Sequence, residues 1–220
     1  MKGEFWVERW QKGEIGFHQA GGNDLLAKHW SSLGVAPEGS VFVPLCGKSV
    51  DMVWLAARGH RVVGSELSHQ AVADFFREQT LSPQVRREGE FEVATAGLVT
   101  IWTGDFFTLP PAATDDIAAV YDRAALIAMP GDMQEAYARK LVALAKRAPV
   151  LLICVTYPEG QIAGPPFSTS TARVRDLFAQ THEITVLESR DGLEASANLR
   201  DRGVTELTET VYVLRPLGPA

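Results

Sequence analysis

Three groups of residues have the types and spacing to do chemistry. Glu66 closes an apolar run, Arg61-Val62-Val63-Gly64-Ser65-Glu66, downstream of a turn at Pro44-Leu45-Cys46-Gly47-Lys48. A carboxylate about 20 residues beyond such a turn, in a strand–turn–helix–strand unit, is placed to accept both hydroxyls of a ribose. Its plainer alternative is a solvated carboxylate at a strand end. Gly47-Lys48-Ser49 ends like a phosphate loop. Asp122-Arg123 follows a further apolar run; a fixed cation there can hold an anionic group, or pair with Asp122 or another strand-end acid.

The turn separates the candidate ligands. A phosphate loop needs a second glycine five residues before Gly47, and that position is Phe42. A dinucleotide site needs G-x-G-x-x-G so that backbone can approach a pyrophosphate, and this turn has one glycine. S-adenosylmethionine carries no phosphate. It needs a ribose acceptor, room beside the turn for its methionine part and a flat apolar slot for adenine, and the turn suits it better.

The elements that must position these residues are legible around them. Val41-Phe42-Val43 reads as a buried strand. Ser49 is expected to cap a helix with Val50, Val53, Trp54 and Ala57 on one face, ended by Arg58-Gly59. The second strand then runs to Glu66. Upstream, Trp6 and Trp10 share a helical face at i, i+4, glycines break the pattern at Gly13 and Gly16, and Asn23 caps a second helix carrying Leu25, Leu26, His29, Trp30 and Leu33. The tryptophans read as packing or as a lid over a ligand; His18 and His29 read as ordinary histidines.

Downstream, Ser68 caps a helix reaching about Gln79, and residues 81–96 read as a loop or edge segment. Leu98–Trp102 and Asp116–Tyr121 read as strands. Asp132 and Glu135 form a capping-box pattern before a helix that Pro149 closes. Val150–Val155 is a buried strand. Gly160–Ser170, with its Gly-Pro-Pro-Phe-Ser, suits a substrate-side loop. A helix at Val174–Phe178 follows, then strands at Ile184–Leu187 and Thr205–Leu214 flanking a polar excursion at Asp191–Gly203. Strands alternating with helices, then a closing antiparallel pair, give an open α/β sheet.

Size and charge exclude several classes. A chain of 220 residues at 46% apolar is one domain of moderate size, or at most two small ones, with a proper core. A net charge of −6 argues against a nucleic-acid surface. Cys46 and Cys154 have neither C-x-x-C nor zinc spacing; they read as buried free thiols, with a disulfide as the alternative that nothing requires. The charged start, Met1–Glu14, lacks the apolar core of a signal peptide, and the longest apolar run is too short to span a bilayer. The expectation is a soluble, cytoplasmic monomer that binds no metal, nucleic acid or membrane.

With the segments in place, the chain resembles the thiopurine S-methyltransferase family in its shorter bacterial form. The matching stretches are W-x-x-x-W at Trp6–Trp10, G-F-H-Q at Gly16–Gln19, P-L-C-G-K at Pro44–Lys48 and R-G-H-R-V-V-G-S-E at Arg58–Glu66. They continue with G-D-F-F-x-L-P at Gly104–Pro110, D-R-A-A-L at Asp122–Leu126 and G-P-P-F at Gly164–Phe167. They run in family order over nearly the whole chain.

The resemblance implies a Rossmann-like class I methyltransferase fold in a single domain, 1–220. Its core, 41–215, would hold a mostly parallel seven-stranded sheet with one antiparallel strand and helices on both faces, and residues 1–33 would form an N-terminal helical lid. It implies S-adenosylmethionine as cofactor and S-adenosylhomocysteine as product. Cofactor contacts would come from Trp10, Leu45, Glu66 and Arg123, with Asp105 and Phe106 near the adenine. Phe17, His18 and Arg123 would lie on the acceptor side, and Trp10 would act as lid. The acceptor would be a small thiol, a thiopurine or another aromatic or heterocyclic one, or a selenium or tellurium species in a detoxifying role. Arg123 would favour the thiolate. The match is poorest at Asp191–Gly203, where Arg200 or Arg202 is a candidate second basic residue for the acceptor. The competing classes are a nicotinamide-dependent oxidoreductase and a non-catalytic cofactor-binding protein on the same fold.

Overall fold

The computed structural model describes residues 3–218, and the chain divides into two compact units, 1–121 and 122–220. The first unit contains β1 (Ser40–Val43), β2 (Val62–Glu66), β3 (Gln84–Glu88), β4 (Phe91–Ala96), β5 (Val99–Thr103) and most of β6 (Ile117–Arg123), in the order β3-β4-β5-β2-β1-β6. β2 and β6 both pair in parallel with β1, and β5 in parallel with β2. β1 is buried at every position, as a strand covered on both faces must be, and this is why its sequence runs apolar without alternation.

Nine strands are present among the described residues, not seven. The two additional ones are β3 and β4, an antiparallel hairpin that pairs onward with β5. They occupy the stretch expected as loop or edge. β3 is indeed the edge, and it is exposed along its whole length, so no alternation of apolar and polar residues marks it. The hairpin turn is the two-residue Gly89-Glu90, closed by the pair Glu88 and Phe91; a two-residue glycine turn is the local signal for such a hairpin.

The helices of this unit are α1 (Gly3–Lys12), α2 (Asp24–His29), α3 (Asp51–Ala56) and α4 (His69–Glu78). Asn23 caps α2, its side-chain oxygen accepting from the N–H groups of Leu25 and Leu26, and Ser68 caps α4 by accepting from Ala71. Both are as expected, because a short polar side chain satisfies otherwise orphaned N–H groups there. Ser49 departs from expectation. α3 starts at Asp51 with Val50 in the cap position, and the Ser49 hydroxyl accepts from the Asp51 N–H at 3.2 Å. After α2 the chain tightens into a 3-10 turn, Trp30–Leu33. Trp30 Nε1–H donates to His60 Nε2 at 3.0 Å, which leaves Nδ1 as the imidazole N–H facing the Gly39 carbonyl.

The second unit contains α5 (Gly131–Ala145), β7 (Val150–Thr156), α6 (Thr171–Phe178), β8 (His182–Asp191), α7 (Ala197–Asp201) and β9 (Thr208–Pro216). β9 lies between β7 and β8 and is antiparallel to both, so the antiparallel share exceeds the one strand expected. Leu151, Leu152, Val211, Tyr212, Tyr137, Leu141, Val174 and Phe178 form its interior. The expected capping box of α5 is not formed: Pro130 holds the cap position without a side-chain bond, and Asp132 stands in the first turn. Cys46 and Cys154 are buried free thiols.

Candidate cofactor site

The site is built on the turn after β1. Leu45 and Gly47 both adopt left-handed backbone, with φ of 47° and 53°. The turn is stitched to the end of β2: Cys46 N–H donates to the Ser65 carbonyl at 2.9 Å, and Gly47 N–H to Glu66 Oε2 at 2.8 Å. The other carboxylate oxygen, Oε1, accepts from Ser68 N–H at 2.8 Å. Glu66 is only 6% exposed, which excludes the solvated carboxylate. Burial raises its pKa, and the N–H groups of Ser68, Gly47 and Leu67 oppose that rise. A carboxylate has about four acceptor sites, so these bonds leave capacity for an incoming hydroxyl.

Two findings remove the phosphate-loop reading physically. The Gly47 N–H, which would face an anion, is committed to Glu66. Lys48 Nζ reaches Glu78 Oε1 at 2.7 Å.

Trp10 lies against this turn. It is buried, and a Cβ added at Gly47 would stand 2.9 Å from its Cζ2, so position 47 requires glycine both for its φ and for this approach. Phe17 meets Trp6 and Trp10 edge-on, with centroids 5.8 and 5.7 Å away. Trp6, Trp10 and Phe17 are thus one aromatic cluster, with Trp10 at the turn. His18, next to it, is half-buried, and its N–H donates to the Ile15 carbonyl at 2.8 Å. The Cys46 thiol is pushed well up by burial and then by the charge of Glu66, which favours its protonated form.

β5 ends beside β2, with Thr103 in register with Glu66, and Gly104 N–H donates to the Glu66 carbonyl at 2.9 Å. Asp105 is exposed and caps the following 3-10 turn through Phe107 N–H at 2.9 Å, while Phe106 is buried. The Thr103 hydroxyl is buried without a hydrogen-bond partner. A carboxylate fixed by two backbone N–H groups, an orphaned hydroxyl at the neighbouring strand end and no phosphate cradle fit a nucleoside without phosphate.

Asp51 was not singled out from the sequence. It is 3% exposed; Oδ1 accepts from Asn23 N–H at 2.8 Å and Oδ2 from Tyr121 Oη at 2.9 Å. It fastens the segment entering α2 to the start of α3 and to β6. The one local signal is an acid in the first turn of a helix.

Of the expected site residues, Trp10, Phe17, His18, Leu45, Glu66, Asp105 and Phe106 belong to the first unit and Arg123 to the second. Arg123 is the half-buried last residue of β6. Its neighbour Asp122 is fully buried, accepting from Tyr137 Oη at 2.7 Å and Leu126 N–H at 3.2 Å. Burial lifts the Asp122 carboxyl from 3.8 to about 6 against the opposing bonds from Tyr137, Leu126 and Ala125. In the polar excursion, Arg202 donates to the Pro165 carbonyl at 2.8 Å, and Arg200 sits exposed in α7.

The family model described as thiopurine S-methyltransferase matches residues 1–216. The chain belongs to the thiopurine S-methyltransferase family. Thiopurine S-methyltransferase of Pseudomonas fluorescens (strain Pf0-1) is 45% identical over 215 residues, 98% of this chain and 99% of that one. Among solved structures, a SAM-dependent methyltransferase from Anabaena variabilis superposes with a TM-score of 0.64 at 14% identity, covering 98% of this chain and 95% of that one. A Burkholderia thailandensis 1,6-didemethyltoxoflavin-N1-methyltransferase, solved with bound 1,6-didemethyltoxoflavin and S-adenosylhomocysteine, does so at 0.63 and 14% identity, covering 98% and 87%. At such identities the likeness speaks for the fold. Among the described residues, no group of three His, Cys, Asp or Glu side chains could hold a metal ion, and no helix is long and apolar enough to cross a membrane.

Proposed function

We propose that this member of the thiopurine S-methyltransferase family transfers a methyl group from S-adenosylmethionine to the sulfur of a thiopurine or another aromatic or heterocyclic thiol. The observation that carries the cofactor half is the Glu66 carboxylate, buried and held through both oxygens by the N–H groups of Gly47 and Ser68. Such a carboxylate is oriented before any ligand arrives, so little conformational entropy is lost on binding. Glu66 would accept the ribose hydroxyls, Leu45 would line the turn, Asp105 and Phe106 would flank the adenine, and Trp10 would cover the bound group.

The cofactor supplies a methyl on a sulfonium, already activated for displacement. The chain has therefore no nucleophile of its own to build; its residues align the acceptor and exclude water, effects worth roughly 7–11 kcal/mol in favourable cases. The acceptor sulfur brings the lone pair that forms the new sulfur–carbon bond, so it reacts as thiolate. Aromatic thiols and thiopurines ionise near neutral pH, and Arg123, always charged, would favour the anion further. Phe17 and His18 would meet the acceptor. The same chemistry takes a selenol or tellurol, more acidic than the thiol, and we propose a selenium or tellurium species as the natural acceptor of a cytoplasmic, monomeric enzyme.

The test is an acceptor screen with purified protein. Thiopurines, simple aromatic thiols and reduced selenium and tellurium compounds are offered with labelled donor, beside calorimetry with S-adenosylmethionine, S-adenosylhomocysteine and NAD. Donor binding with methyl transfer to sulfur or its heavier congeners supports the reading. Tight NAD binding with none for the donor favours an oxidoreductase, and donor binding without any transfer favours a non-catalytic protein.

A further inference from the structure

The Gly-Pro-Pro-Phe loop is short of its own donors. Pro165 and Pro166 carry no N–H, and two side chains from outside the loop bond their carbonyls. Tyr157 Oη donates to the Pro166 carbonyl at 2.6 Å, and Arg202 Nη1 to the Pro165 carbonyl at 2.8 Å. Phe167 N–H donates to the Ile127 carbonyl at 2.7 Å. The Phe167 ring folds back over Gly164, whose φ is 76° and where an added Cβ would stand 2.6 Å from ring carbon Cε1. The setting of this half-buried ring thus depends on the held carbonyls just before it.

The base of Arg202 is anchored in the same small assembly. Leu199 of α7 is buried with Tyr157, Val204 and Leu207, and Ile162 of the loop packs against that cluster. The Arg202 side chain itself is exposed, so it adds little to this packing. What it contributes is a charge-assisted hydrogen bond to a carbonyl.

We propose that Arg202 is a positioning residue for the acceptor: through the Pro165 carbonyl it holds Gly164–Phe167, and with it the Phe167 ring, in the shape that receives a planar aromatic or heterocyclic acceptor. This rests on the thiol methyltransferase reading, with the loop on the acceptor side. It gives Arg202 a backbone partner in place of direct contact with the acceptor.

The test compares the parent with Arg202→Met and Arg202→Lys in thiopurine methylation, donor calorimetry and hydrogen exchange over residues 160–170. Arg202→Met is expected to raise the thiopurine KM by about three- to tenfold, the range for losing one hydrogen bond of ordinary net strength, as suits an exposed side chain. Donor affinity and kcat stay essentially at the parental values, and the Phe167 amide exchanges faster. Arg202→Lys recovers most of both effects, because an ammonium still donates to the carbonyl. Parental KM and exchange in Arg202→Met overturn the proposal. So does a lysine variant as impaired in KM as the methionine one, which would mean that the guanidinium reads the acceptor itself. Should the parent methylate no thiol, the functional reading falls, and exchange alone decides the clamp: faster exchange upholds it and unchanged exchange overturns it.

Discussion

Gly47 N–H donates to Glu66 Oε2 at 2.8 Å, across 19 residues of chain. This bond ties the turn after β1 to the carboxyl end of β2, and it makes the carboxylate proposed as ribose acceptor part of the turn's own hydrogen bonding. On the proposed function, cofactor binding and local stability share one carboxylate.

Glu66→Ala is expected to weaken S-adenosylmethionine binding by more than tenfold, since a hydrogen bond to a charged group is worth about 1.5–3 kcal/mol. It also strands the Gly47 and Ser68 N–H groups that the carboxylate satisfies, so a lower melting temperature should accompany the loss. Titration calorimetry on variant protein still folded by circular dichroism checks this; an unchanged dissociation constant would remove Glu66 from the cofactor site.

The aromatic cluster of Trp6, Trp10 and Phe17 at the turn leads to a second expectation. If it closes over the cofactor, residues 6–17 should gain protection from hydrogen exchange and protease when S-adenosylmethionine or S-adenosylhomocysteine is added. Equal protection with and without ligand would make the cluster ordinary packing.

The βαβ unit from Val41 to Glu66 was legible because β1 is a short, wholly buried apolar run and the turn residues are local signals. Asn23 and Ser68 were legible as caps for the same reason. The exposed strand β3 was not: its residues QVRRE meet solvent on both faces and carry no period. Asp51 was invisible because its partner Tyr121 lies 70 residues away, and the Arg202 bond to Pro165 spans 37. Spacing cannot reveal contacts made only when the chain has folded. Among the residues proposed for the acceptor side, what pointed to Arg123 was its place after an apolar strand, a local cue.

Asp122 carries a pH signature. Its carboxyl binds a proton more tightly folded, near pH 6, than unfolded, near 3.8. Stability from this group is therefore full below about pH 4 and lost as pH rises to about 6. Asp122→Asn keeps an acceptor for Leu126 N–H and a donor for the Tyr137 oxygen. Relative to the parent it should gain stability across that window, by at most about 3 kcal/mol at pH 7, and gain nothing near pH 4. Denaturant unfolding at both pH values measures this; a difference independent of pH would contradict it.

Arg123→Ala should lose most turnover with a smaller loss of cofactor affinity and little change in melting temperature. Arg123→Lys keeps the charge but not the planar fork, so it should keep part of the activity. The deficit should be largest below the acceptor's solution pKa, where the cation most increases the thiolate fraction. A pH series of initial rates reads this, and parental turnover in Arg123→Ala throughout would make the residue a structural partner.

The most direct measurement follows the methyl group itself. Protein, S-adenosylmethionine labelled at the donor methyl and 6-mercaptopurine are mixed, and the products are resolved by mass spectrometry and NMR. The account predicts labelled methyl on the purine sulfur, with S-adenosylhomocysteine formed in equal amount and the signal strongly reduced in Glu66→Ala at subsaturating donor and in Arg123→Ala. Label on nitrogen or oxygen, or no transfer by protein that binds the donor, would contradict it.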